Sequence, residues 1–146
     1  MAILDFLGDY NRSDLKDFWK INDHQIPTLP GAYILVARGD GHFDYPRGRS
    51  PVYYIGQSKN LRSRLRTHLK WATEARDRRK EDLYWPRYEF AAAYAERYCF
   101  VRTWQGMTPR GLEEEVMARF AKKYRCFPIA NGSGSWWRVS RVMAMG

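Results

Sequence analysis

Three groups of residues in this 146-residue chain have the types and spacing to do chemistry. The first follows Gly56. Read as a helix, the stretch after Asn60 places Leu61, Leu65, Leu69 and Ala72 within about 80° of one another, an apolar stripe. Arg64 and His68, four residues apart, sit at the edge of that stripe on one face. Arginine can fork onto a phosphate, and histidine titrates near neutrality. Arg62, Arg66 and Lys70 form a rail further out. Such a rail is ordinarily a solvated face, but in a basic chain it also suits phosphate contacts. The second group is Glu113, Glu114 and Glu115. Projected around a helix that starts at Thr108-Pro109, Leu112, Val116, Met117, Phe120 and Tyr124 span an arc of about 140°. Glu113 falls inside that arc, Glu114 lies outside it and Glu115 points away. Acids in a first helical turn offset the helix dipole, which would account for Glu114 and Glu115. A carboxylate inside an apolar arc costs free energy unless a divalent cation, an arginine or a raised pKa answers it. The third group is tyrosines: Tyr33 after Gly31-Ala32, and Tyr53-Tyr54 before Ile55-Gly56. Strand neighbours face opposite sides, so strict alternation lets only one of Tyr53 and Tyr54 share a face with Tyr33.

The elements that must position these residues follow from the pattern. Residues 13–23 read as a short helix capped by Ser13, with Leu15, Phe18 and Trp19 on one face. Pro27 to Pro30 breaks the chain. The apolar run Gly31 to Ala37 predicts a buried strand. Arg38 to Pro51, rich in Gly and Pro, predicts a long hairpin loop. Val52 to Ile55 is a second strand, and Asn60 caps a helix of about 15–20 residues. Residues 74–87 are charged and end at Pro86, which predicts a turn or frayed helix end. Tyr88 to Glu96 leans weakly to helix, and Tyr98 to Trp104 predicts a third strand. Thr108 followed by Pro109 marks a helix start, with the helix running to about Tyr124. Pro128 ends the regular pattern, and Trp136-Trp137 would form an edge strand or docking segment. The expected fold class is α+β: a small, mainly antiparallel three-stranded sheet flanked by helices.

Composition narrows the function. Lys and Arg number 25 against 16 acids, a formal charge of +9, and aromatic residues make up 16%. A folded, basic, aromatic-rich domain points to a polyanionic partner, most often nucleic acid. No stretch approaches the ~18 apolar residues of a membrane span, so no membrane partner is expected. The N-terminus carries Asp5 and Asp9 and does not read as a secretory signal. Cys99 and Cys126 fit neither a zinc motif nor a disulfide framework and read as reduced core residues of a cytoplasmic protein.

Taken in order, Gly31-Ala32-Tyr33, Tyr54-Ile55-Gly56, Gln57 to Leu61, then Arg64 and His68 resemble the GIY-YIG nuclease family. In that family the second tyrosine is followed ten positions on by an arginine and often, four beyond, by a histidine. Tyr54, Arg64 and His68 keep those spacings. The family's metal-binding glutamate follows a leucine and precedes apolar residues at +3 and +4, as Leu112, Glu113, Val116 and Met117 do. Its late asparagine maps onto Asn131, after Tyr124-Arg125 and Pro128. The resemblance covers about residues 30–132. Two features depart from the pattern. Tyr33 and Tyr54 stand 21 residues apart, about twice the usual interval, with the extra length in Arg38 to Pro51. The interval from Glu113 to Asn131 is also longer than usual.

The resemblance implies a domain over residues 31–132, a helical extension over 1–30 and a tail over 133–146 packed on the domain. It implies a DNA endonuclease using one Mg²⁺ or Mn²⁺ held by Glu113. Arg64 would hold a non-bridging phosphate oxygen, Tyr33 or Tyr54 would take the proton of the attacking water, and His68 would orient that tyrosine or relay its proton. Asn131 would orient the site. Lys59, Arg62, Arg66 and Lys70 would contact the DNA backbone without reading bases. Specificity would come from the Arg38–Pro51 insertion, the N-terminal 30 residues, a homodimer or a protein partner. The alternatives are a non-catalytic nucleic-acid-binding module and an interaction protein built around the Arg38–Pro51 insertion.

Overall fold

The computed structural model describes residues 3–39, 43–77 and 84–131. The 133–146 tail, with Trp136-Trp137, lies outside the described residues, as do positions 78–83 of the expected turn. The fold is α+β, built around a four-stranded sheet that is antiparallel throughout. Its strands are β1 (Lys16–Asp17), β2 (Gly31–Ala37), β5 (Val52–Ser58) and β6 (Ala95–Arg102), in the order β1-β6-β2-β5. A separate hairpin pairs β3 (Phe43–Tyr45) with β4 (Gly48–Ser50). The helices are α1 (Leu61–Asp77), α2 (Pro86–Tyr94) and α3 (Pro109–Tyr124).

The central strand is β2, and all seven of its residues are buried, as an uninterrupted apolar run demands. Its alternate side chains feed two cores. Ala32, Ile34 and Val36 join Ile55, Leu112, Val116, Met117 and Phe120 on the α3 face. Tyr33, Leu35 and Ala37 join Leu61, Leu65, Ala72 and Ala91 on the face covered by α1 and α2. Capping residues set the helix starts. Asn60 Oδ1 accepts from Ser63 N at 3.0 Å, and Thr108 Oγ1 accepts from Gly111 N at 3.0 Å.

Four expectations are corrected. The sheet has four strands rather than three, because Lys16–Asp17 pairs with Arg97 and Tyr98. Residues 13–23 are therefore not a helix. Ser13 turns its backbone N–H and its hydroxyl onto Phe100, and Asp17 caps only a 3₁₀ turn at Phe18–Lys20. The local apolar spacing loses to strand pairing. Pro86 starts α2 instead of ending the helix before it, since proline is at home in a first turn, where its missing N–H costs nothing. Glu113, Glu114 and Glu115 begin beyond the first turn of α3, which holds no acid, so the helix dipole does not account for them.

The insertion is a hairpin, as its composition suggested, but it is fastened down. Tyr45 is buried against Phe120 and Tyr124, donates to Val52 O at 2.7 Å and accepts from Ile129 N at 3.1 Å. Phe43 packs edge-on against Tyr94 of α2. Both cysteines are free thiols, Cys99 fully buried. Among the described residues, no helix is long and apolar enough to cross a membrane.

Candidate active site

The tyrosines converge through strand register. Tyr33 lies opposite Gly56, and Leu35 lies opposite Tyr54. Tyr33, Tyr54 and Gly56 therefore share the α1/α2 face. A β-bulge between Leu35 and Val36 leaves Tyr53 as the extra residue of β5. Strict alternation is broken there, and Tyr53 and Tyr54 enter the same core. Tyr53 stacks on Phe90 of α2, while the Tyr54 ring lies 6.1 Å from that of Tyr33. Gly56 is required because a Cβ at this position would collide with the Tyr33 ring. Gly31 is required by the close approach of the Val101 carbonyl and the Leu61 side chain.

From α1, Arg64 and His68 reach this tyrosine pair. Tyr33 Oη lies 2.7 Å from His68 Nε2, and Arg64 Nε donates to Tyr33 Oη at 3.3 Å. His68 does not sit at the edge of the apolar stripe. It is fully buried within it, among the rings of Tyr33, Tyr54 and Tyr88, and Leu69 is only partly buried. Burial, reinforced by the nearby charges of Arg64 and Arg87, lowers the His68 pKa to about 3. The imidazole is neutral at physiological pH, which suits holding Tyr33 in place far better than accepting its proton. Burial also raises the Tyr33 pKa well above 10, helped by Tyr54 and opposed by Arg64 and Arg87. Tyr33 is wholly buried, whereas Tyr54 retains 8% exposure.

Asn131 acts on the backbone. Its Oδ1 accepts from Ile55 N at 3.0 Å and its Nδ2 donates to Ile55 O at 2.7 Å. Among the described residues β5 lies at the sheet edge, and the Asn131 amide fills the backbone pair of Ile55 as a further strand would. Asn131 thereby fixes the strand that carries Tyr54 and Gly56.

Glu113 comes from the other side of the sheet, since α3 packs on the face opposite α1. It is half-buried, whereas Glu114 and Glu115 are exposed, as the helical projection predicts. α1 follows the end of β5 at Ser58 and α3 follows the end of β6 at Arg102, two strand ends that both pair with Gly31, and Arg64 and Glu113 lie in the early turns of those helices. Among the described residues, no group of three or more His, Cys, Asp or Glu gathers in metal-binding geometry.

The rail residues are less uniform than their spacing suggests. Lys59, Arg66 and Lys70 are exposed, but Arg62 Nε donates to Ile26 O at 2.8 Å and is partly committed to the fold. Arg62, Arg66 and Lys70 line a shallow groove of about 520 Å³ with Thr28, Asn60, Ser63 and Thr67.

The sequence reading missed Arg87 and Tyr88. Arg87 Nη1 donates to Tyr54 Oη at 3.4 Å, and its guanidinium lies 5.3 Å from the Tyr88 ring centroid. The available signal was Pro86: taken as a helix start, it places Arg87 in a first turn beside the site.

A scan against protein-family models and searches of curated proteins and solved structures find no match to this chain.

Proposed function

We propose that this chain is a divalent-metal-dependent DNA endonuclease that hydrolyses phosphodiester bonds at a GIY-YIG-like site. One observation carries the reading. Tyr33, Tyr54, Arg64 and His68, the residues that carry the resemblance to the GIY-YIG family, form one hydrogen-bonded and ring-packed cluster whose edge strand is held by Asn131.

The chemistry follows from these groups. Cleavage needs a base for the attacking water, a clamp on the charge that builds on phosphorus, and help for the leaving oxygen. Arg64 is half-buried and spends its Nε on a neutral phenol, so its other donors can hold a non-bridging phosphate oxygen. A phenol acts as base only as phenolate. Arg64 and Arg87 both favour the phenolate of Tyr33, against its burial, and Arg87 also donates to the Tyr54 hydroxyl. One of these two tyrosines takes the proton, and His68 fixes the orientation of Tyr33. The donor chemistry of Glu113, one hard carboxylate, suits a hydrated Mg²⁺ or Mn²⁺, which keeps several of its waters. Such an ion would supply Lewis-acid stabilisation of the phosphate and leaving oxygen.

Plasmid nicking with Mg²⁺ or Mn²⁺, beside EDTA and Glu113→Ala controls, tests this. Metal-dependent nicking that disappears in Glu113→Ala is the expected result. Salt-sensitive DNA binding without cleavage of plasmid, branched or single-stranded DNA would replace the enzyme by a nucleic-acid-binding module.

A further inference from the structure

We infer that Arg87 is a second phosphate-binding arginine, which with Arg64 brackets the tyrosine pair and clamps one backbone phosphate of the substrate. The inference rests on the DNA-cleaving reading and adds a substrate contact from α2.

Three observations support it. First, the two guanidiniums flank one cluster. Arg64 donates to Tyr33 from α1, Arg87 donates to Tyr54 from α2, and the two rings are 6.1 Å apart. Both cations also help lower the pKa of His68, whose ring packs against both tyrosines. Second, the ion pairs found among the described residues include neither arginine. Arg87 is held instead by aromatic faces, 5.4 Å from the Trp85 centroid and 5.3 Å from that of Tyr88. A half-buried cation is ordinarily matched by a carboxylate. Two cations bonded to one tyrosine cluster can each offer a phosphate charge-assisted hydrogen bonds. Third, Arg87 keeps spare donors. Its bond to Tyr54 is long at 3.4 Å and uses one N–H of a guanidinium that carries five. A phosphodiester offers two non-bridging oxygens, enough to engage both guanidiniums.

The test measures binding rather than cleavage. Fluorescence anisotropy of a labelled duplex of about 20 base pairs, in EDTA and across about 50–300 mM salt, is recorded for the wild type, Arg87→Ala and Arg87→Lys. Arg87→Ala is expected to bind about tenfold more weakly at low salt. Its log–log salt slope should be shallower by about 0.9, the loss of one phosphate contact. Arg87→Lys should recover the slope, which a merely structural role for the planar guanidinium would not allow. Circular dichroism checks folding, and Arg87→Gln replaces Arg87→Ala if the latter fails to fold. A folded neutral variant with wild-type slope and affinity within about twofold overturns the inference and leaves the endonuclease reading intact. A wild-type protein that does not bind the duplex overturns both.

Discussion

The two faces of the sheet are made from alternate residues of the same strands, yet they are built to different standards. On the α3 face, Ile34, Val36, Val52 and Ile55 meet Leu112, Val116, Met117 and Phe120, and the Tyr45 hydroxyl that joins this core is hydrogen-bonded to the backbone of Val52 and Ile129. On the α1/α2 face, the same strands present Tyr33, Tyr53 and Tyr54, and α1 adds a buried histidine. Among the described residues, the Tyr53 hydroxyl, His68 Nδ1, the Tyr98 hydroxyl and Arg87 Nε are buried without hydrogen-bond partners. Buried polar groups are normally satisfied, and each exception costs about 1–3 kcal/mol. One face stabilises the fold, and the other carries polar groups that a purely structural core would omit. A strand's period of two lets one sequence build an apolar face and a polar one at once.

The largest effects should separate the faces. Phe120→Ala, at the centre of the α3 face, should destabilise the protein by about 3–5 kcal/mol in urea unfolding. Cleavage per folded molecule should be little changed. Arg64→Ala should do the reverse, lowering cleavage by about 10²–10³-fold while the unfolding midpoint moves little. If both variants lose stability and activity together, the division between the faces is wrong.

A smaller effect tests the buried histidine. The folded protein keeps His68 neutral down to about pH 3, whereas the unfolded chain protonates below its ordinary 6.5. The unfolded state therefore binds more protons as pH falls. The contribution is fully present above pH 6.5 and is lost progressively toward pH 3, reaching about 3 kcal/mol by pH 4.5. His68→Phe removes this proton uptake. Its stability loss between pH 7 and pH 4.5 should be smaller than that of the wild type by about that amount. Equal acid sensitivity would mean that His68 is charged in the folded protein.

Gly56→Ala should come next, at about 1–3 kcal/mol, because the new methyl meets a ring held by His68 and Arg64. Cleavage per folded molecule should fall as well, since relief of the clash displaces Tyr33. A Gly56→Ala protein with wild-type stability would show that the ring can yield, and that the site is looser than its packing implies.

How much of this was legible depends on the range of the interaction. Helix period put Arg64 and His68 on one face and strand period put one tyrosine of the Tyr53-Tyr54 pair beside Tyr33, but it was the resemblance to the GIY-YIG family that chose Tyr54 and joined the four. Helix period also marked Glu113 as the half-buried glutamate of its triplet. What escaped depends on distant partners. A bulge turned Tyr53 onto the face of Tyr54, which alternation forbids. Three tyrosine rings drew His68 to full burial in place of Leu69. Pairing with Arg97 and Tyr98 made a strand of Lys16–Asp17. Asn131 could be placed as a site residue, but its target, the backbone pair of Ile55, follows from the place of β5 in the sheet, at its edge among the described residues.

The smallest effect concerns the outer face of α1, where neither core has a stake. Lys70 is exposed, and its ammonium lies 5.2 Å from the Trp71 ring centroid. Lys70→Gln should leave stability within about 0.5 kcal/mol, since surface changes away from such features rarely do more. If the rail meets the DNA backbone, the same substitution should reduce the salt slope of duplex binding by about 0.9. Cleavage at saturating DNA should not change, because a contact that positions the backbone holds ground state and transition state equally. A slope unchanged by Lys70→Gln would make this end of the groove an ordinary solvated face. The substrate would then be confined to the tyrosine cluster and the turns that lead into α1 and α2.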